Sequence, residues 1–202
     1  MKNKPGKYPY FCLFFYLIIW FLLALSPRDR FTWFLENLLV FIFVPSLIFT
    51  FKKFRLSNIS YTTITIFLIL HSIGAHYTYS EVPFVKSIFD FVNFQRDNYD
   101  RLVHFSFGLL MVYPAREVIT RSLNLNAFWR FYIPLIIIIS SSASYEIIEM
   151  VTAMIVQPEN AIAWLGIQGD PFDAEKDMLM AASGALITSI LSLSKAYTKK
   201  WH

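Results

Sequence analysis

Six stretches of this chain are each apolar enough to lie in a bilayer, and no other feature constrains its fold as strongly. They run over approximately 10–25, 31–51, 59–79, 101–119, 127–153 and 174–193. A hydrocarbon core needs about 20 predominantly apolar residues per helix. The apolar residues are continuous within each stretch and do not alternate, so helices are expected and barrel strands are not. The six take more than half of the 202 residues and leave no room for a separate soluble domain. The expected architecture is therefore all-α: a polytopic membrane helix bundle, with 1–202 as a single integral membrane domain.

Composition excludes the alternatives. Only 16% of the residues are charged while 56% are hydrophobic, against about 25% charged in an average soluble domain. Cys12 is alone in an apolar run, which rules out a disulfide scaffold. The net charge of +4 is dispersed between apolar segments, so membrane lipid is the expected partner and nucleic acid is not. The first span also imitates a secretory leader, with lysines ahead of it and Ala24-Leu25-Ser26 behind. Its aromatic content and Pro27 directly after the cleavage-like triplet favour a retained helix.

Orientation follows from Lys and Arg. A cytoplasmic N-terminus puts twelve of them inside, among them Lys52, Lys53, Arg55 and Arg121, and six outside, among them Arg28, Arg30 and Lys86. That asymmetry favours both termini cytoplasmic. Tyr8, Tyr10 and Trp129 then read as inner interfacial anchors, and Trp33, Tyr77, Tyr79 and Tyr99 as outer ones. The two long connections, 80–100 and 152–173, fall on the outer side, where a site is expected.

Ionisable residues inside the spans cost about 2.5–3.5 kcal/mol each on insertion scales, so each needs an account. His71 and His76 lie towards the outer end of the third span. Asp100, Arg101 and His104 open the fourth, with Asp100 and His104 four apart on one face. Tyr145, Glu146 and Glu149 lie in the outer half of the fifth. Asp173 and Asp177 open the sixth, after Gln168-Gly169-Asp170-Pro171-Phe172. At 1.5 Å per residue, His71, His104, Glu146, Glu149 and Asp177 all fall about two turns or less from the outer boundary. Such a set suits one divalent metal ion, with His71, His104, Glu146 and Asp177 as ligands and Glu149 or Asp173 as general base. His76, Asp100, Arg101, Tyr145, Gln168 and Asp170 complete the expected polar cluster.

Plainer readings stand beside these. Asp173 suits a helix N-cap and Asp177 a helix dipole. His76 suits a solvated or hydrogen-bonded histidine, while Asp100 and Arg101 suit the anchoring of a helix end. His71 and His104 read equally as ligands or as buried hydrogen-bond partners. Glu36, beside Asn37, reads as a packing or pairing residue, and Glu117 with Arg121 as an inner ion pair. Ala181, Ala182, Gly184 and Ala185 form a small-residue surface for close helix packing.

Several of these motifs occur together in one known family. Gly74-Ala75-His76-Tyr77-Thr78-Tyr79 with Val82-Pro83 is one, and Arg96-Asp97-Asn98-Tyr99-Asp100-Arg101 with His104-Phe105 and Gly108 is another. Arg116-Glu117, Tyr145-Glu146 with Glu149, and Leu165 to Asp170 leading to Asp173 and Asp177 complete the set. The chain thereby resembles the YjdF-like family of uncharacterised bacterial inner-membrane proteins, over roughly Ile59 to Gly184. A looser similarity to VanZ-like envelope proteins rests on the acidic-basic pair before His-Phe and on the Asp opening a later helix. The resemblance implies a multi-pass protein of the bacterial cytoplasmic membrane and carries no established activity. Three functions remain open at this point. They are a metal-assisted hydrolase or transferase for a lipid or envelope head group, a transporter or channel using the cluster as a proton or cation relay, and a non-catalytic scaffold.

Overall fold

The computed structural model describes residues 6–83, 98–156, 161, 164 and 170–196, the last four of these by backbone alone. Among them are six helices and no strand: α1 (Tyr8–Ala24), α2 (Arg30–Thr50), α3 (Asn58–His76), α4 (Tyr99–Ser122), α5 (Ala127–Ile155) and α6 (Asp173–Ala196). α2, α3, α4 and α5 are long and apolar enough to cross a membrane. α1 is a shorter apolar helix of 17 residues, about 26 Å long. The helices start where local chemistry dictates. Asp29 accepts from the Thr32 N–H at 2.6 Å, Ser57 from Ser60 at 3.3 Å and Asn126 from Trp129 at 3.1 Å. Each caps an otherwise orphaned helix N–H.

The outside of the bundle is built for lipid. Phe49, Met154 and Ile155 are each more than three-quarters exposed, and Phe14 and Ile42 nearly as much. A belt of this size has no stable place in water. Hydroxyls within the spans fold back on their own helices, as Ser46 does to the Ile42 carbonyl and Ser72 to that of Leu68. Such back-bonding satisfies them where no water reaches.

Contacts between ends fix the order of the helices. Tyr8 and Tyr16 on α1 meet Thr62 and Ser72 on α3, so these two run parallel. Ser57 meets Glu117 while Tyr99 donates to the Leu70 carbonyl, so α3 and α4 are antiparallel. α4 and α6 run parallel and touch backbone to backbone. A Cβ added at Gly108 would overlap the Ala181 carbonyl, and one at Gly184 would overlap that of Phe105. Thr188 donates to the Leu109 carbonyl across the same seam at 2.7 Å. α5 packs on both. The first described helix thus begins, and the last ends, on the same side of the bundle.

Two boundaries differ from the apolar runs in a way that matters. α3 stops at His76, short of Tyr79, because Thr78 and Tyr79 adopt left-handed φ of 55° and 57°. The Tyr79 N–H then closes on the Gly74 carbonyl at 2.8 Å, a Schellman-type ending. Its ring folds back over Gly74, where a Cβ would sit 2.5 Å from the ring. Tyr79 and Tyr99, expected as interfacial anchors, are consequently buried, and so is Trp33. α6 begins at Asp173 itself, so this residue occupies the first helical turn and the cap position falls to Phe172.

Candidate functional site

Because α4 and α6 are parallel, their N-terminal ends lie side by side, and the sequence puts acid at both. Oxygens of Asp100, Asp173 and Asp177 lie within 4.8 Å of one another. Asp173 and Asp177 are buried and Asp100 is half-buried. Two helix N-termini favour negative charge here. Arg101 adds a cation, its Nη2 lying 2.5 Å from Asp170 and 3.4 Å from Asp173. Asp170 also receives Lys176 at 2.6 Å and the Phe172 N–H at 3.1 Å. The Lys176 ammonium, with that N–H and Arg101, holds the Asp170 carboxyl far below the ordinary carboxylate range.

α4 and α5 deepen the cluster. One turn below Asp100, His104 Nε2 faces Asp100 at 3.5 Å and Glu146 at 3.3 Å, while Nδ1 faces the Ser142 hydroxyl at 3.4 Å. Glu149, one turn along from Glu146, brings its carboxyl within hydrogen-bonding reach of it. Its carbonyl accepts from the Trp164 indole at 3.1 Å. Two carboxylate oxygens here are buried without a hydrogen bond: Asp177 Oδ1, and Glu146 Oε1, whose neighbour at 3.3 Å is His104 Nε2. A buried carboxylate oxygen left unpaired is costly, and either a proton shared among neighbouring carboxyls or a bound cation relieves it. The donor set, carboxylates with one imidazole, suits Mg²⁺, Mn²⁺ or a similar hard to borderline ion.

The expected residues divide between this site and its neighbours. His104, Glu146, Glu149, Asp100, Asp173 and Asp177 come together, with Arg101 and Asp170 at the rim. His71, expected as a ligand, has both ring nitrogens committed elsewhere. Nδ1 meets the Tyr79 hydroxyl at 2.5 Å and Nε2 the Glu36 carbonyl at 3.1 Å. His76 is bound to the Leu23 carbonyl at 2.7 Å and stands apart, a hydrogen-bonded histidine. Gln168 lies outside the described residues. Tyr145 donates at 2.7 Å to the carboxylate of Glu36, which is buried. Glu36, expected to pack or pair, does pair, and Tyr79, expected as an outer anchor, turns inward; neither was expected beside the cluster. The position of Glu36 was nonetheless legible, since α2 reaches the cluster end with its N-terminus and Glu36 lies about two turns in. Tyr79 was hidden by the reversal of the chain after His76.

Below the cluster a groove of about 620 Å³ runs down the bundle. α2 and α5 flank it, and α3 and α4 form its floor. Asp100, His104, Tyr145, His71 and Tyr79 line its upper end, and apolar side chains such as Leu47, Met111 and Val118 line the rest.

Comparison with known proteins agrees with the family motifs. The chain belongs to the family described as "Predicted membrane protein (DUF2238)", whose profile matches residues 8–197. It is 33% identical over 168 residues to the inner membrane protein YjdF of Escherichia coli (strain K12), covering 83% of this chain and 80% of that one. No solved structure matches it. The chain is thus an integral membrane protein of an uncharacterised family.

Proposed function

We propose that this protein is a divalent-cation-dependent hydrolase or transferase acting on a lipid or envelope head group at the outer face of the bacterial cytoplasmic membrane. Asp100, Asp173 and Asp177 would hold the cation, with His104 and Glu146 completing or orienting its shell. Glu149 would accept the proton of the attacking water or hydroxyl. A bound divalent ion polarises a phosphoryl or acyl oxygen and acidifies its water. The observation that carries the reading is Asp177 Oδ1, buried without a hydrogen bond on the side chain that converges with Asp100 and Asp173 to within 4.8 Å. His71 falls to a positioning role through Glu36 and Tyr79. Exposed Lys52, Lys53 and Arg121 at the opposite end support a cytoplasmic placement of that end. The name of the Escherichia coli relative supports the inner membrane. The ionisable residues lining the groove, His71, Asp100 and His104, sit at its cluster end, which favours a local site over a relay through the membrane.

Mn²⁺ binding to the purified protein, followed by electron paramagnetic resonance, tests the site. Wild type should bind Mn²⁺, while Asp177→Asn and Glu146→Gln should each bind at least about tenfold more weakly with their helical fold intact. A wild type that binds no Mn²⁺, or folded variants of unchanged affinity, would defeat the proposal.

A further inference from the structure

We infer that the groove beneath the cluster holds one acyl chain of a membrane phospholipid, with its phosphate presented to the cation. The inference rests on the reading of the carboxylate cluster given above and names the substrate class for it. Three observations support it.

The first is continuity. Asp100 and His104 belong both to the cluster and to the groove lining, so a molecule filling the groove ends at the candidate cation site. The second is the order of chemistry along the groove. Ser141, Ser142 and Ser144 line it on α5 within about a turn of Tyr145, and the lining beyond Met111 towards Val118 is apolar. An ester-linked lipid presents the same order: phosphate, then glycerol ester carbonyls, then hydrocarbon. The third is access and reach. α2 and α5 do not pack along their length and are joined at the cluster end by the Tyr145–Glu36 hydrogen bond, so the groove opens sideways into the bilayer. From His104 to Val118 the lining on α4 extends ~21 Å at 1.5 Å per residue. Half a hydrocarbon core is about 15 Å deep, so the groove has room for an acyl chain in extended form.

A head group enters this site as an anion bridged to carboxylates by the cation, with Arg101 and the N-termini of α4 and α6 adding positive potential. Without the cation the carboxylates would repel a phosphate. Binding of the lipid in the groove is therefore coupled to the cation. An apolar slot that merely collects solvating hydrocarbon has no such coupling.

The experiment uses the full chain in vesicles of phosphatidylethanolamine and phosphatidylglycerol, doped with phosphatidylethanolamine bearing a diazirine at the end of one acyl chain. After photolysis with Mn²⁺ present, label should concentrate on peptides containing Met111, Ala115 and Ile138, above the level on the exposed belt around Phe49. Filling the groove with Ala115→Phe, or with Met111→Trp if the first does not fold, should remove the groove label and leave belt label and Mn²⁺ binding unchanged. Asp177→Asn should lower the groove label together with the cation. Mn²⁺ binding with label confined to the belt would overturn this inference and leave the cation reading intact. Groove label that is indifferent to Asp177→Asn would also overturn it, because the slot would then hold lipid without presenting it to the site. Absence of Mn²⁺ binding in wild type would fail the cation reading itself and remove the basis of both.

Discussion

The seam between α4 and α6 sets the geometry of the site, and Gly108→Ala is the smallest change that opens it. A Cβ at this position would overlap the Ala181 carbonyl oxygen and lie 2.8 Å from both the Ala181 carbonyl carbon and the Ala185 nitrogen. Carbon contacts are most favourable at about 3.5–4.0 Å, so the two helices must part by roughly an ångström there. All three atoms are backbone, and no rotamer change relieves the clash. Overpacking of this kind typically costs about 1–3 kcal/mol, and a seam closed on both sides by glycine belongs at the upper end. The second consequence is at a distance. Asp100 lies two turns up α4, ~12 Å away, and Asp177 lies one turn up α6 from Ala181. Ligand distances in a metal site tolerate only about 0.2 Å, so parting the helices loosens Asp100 from Asp173 and Asp177 without touching any of them. The expected outcome is a lowered melting temperature by circular dichroism in detergent, together with weakened Mn²⁺ binding measured well below the melt. Gly184→Ala should behave alike, and the double variant should cost less than the sum because the first change has already opened the seam. A Gly108→Ala protein that melts and binds Mn²⁺ as wild type does would refute the crossing as described.

Other expectations separate structural roles from site roles. Glu117→Ala removes an acceptor for the Ser57 N–H at 2.8 Å, the Ser57 and Ser60 hydroxyls at 2.8 and 2.5 Å, and Arg121 at 2.8 Å. It should cost about 2–3 kcal/mol in thermal unfolding while leaving Mn²⁺ affinity unchanged. For Asp170 the native carboxyl lies below its unfolded value of about 3.9, so its stabilisation is complete above about pH 4 and is lost as pH falls through the native value. Hydrogen-exchange protection at Phe172 should accordingly be flat from neutral pH to about 4 and fall at lower pH, whereas Asp170→Asn should lower it already at pH 7. Reporter fusions after residue 55 and after residue 90 should read cytoplasmic and external respectively, and the reverse would put the cluster on the inner face.

Much of the fold was legible because lipid solvation imposes a simple rule on sequence: long uninterrupted apolar runs become helices. The small-residue surface at Ala181, Gly184 and Ala185 announced close packing, and it packs against Gly108. What the rule does not encode is which helices become neighbours and where a side chain turns. Equal depth brought His104, Glu146 and Asp177 together, because depth and facing coincide where α4, α5 and α6 share a seam. It misassigned His71, whose ring faces α2 and the returning Tyr79. Glu36 had the right depth but no visible partner, since Tyr145 lies 109 residues away in sequence. The reversal at Thr78–Tyr79 escaped notice because neither residue is a glycine, the usual marker of left-handed backbone.

The two ends of the bundle treat their carboxylates differently. One end half-buries a single carboxylate, Glu117, and the other buries several, in a chain with few charges to spare. Around Glu117, at the lysine-rich end, a backbone N–H, two hydroxyls and a guanidinium converge on one carboxylate. That carboxylate caps α3 from a neighbouring helix, and its charge is answered by what it touches. At the other end five carboxylates, Asp100, Asp173, Asp177, Glu146 and Glu149, gather around His104 and Arg101. Two of their oxygens, Glu146 Oε1 and Asp177 Oδ1, are buried without a hydrogen bond, the first lying 3.3 Å from His104 Nε2. A scaffold needs only the first kind of arrangement, since an apolar replacement of a poorly answered charge is often neutral or stabilising. Helix packing alone gives no reason to keep the second. Under the proposed function, charge kept where an apolar side chain would pack is what holding a cation requires.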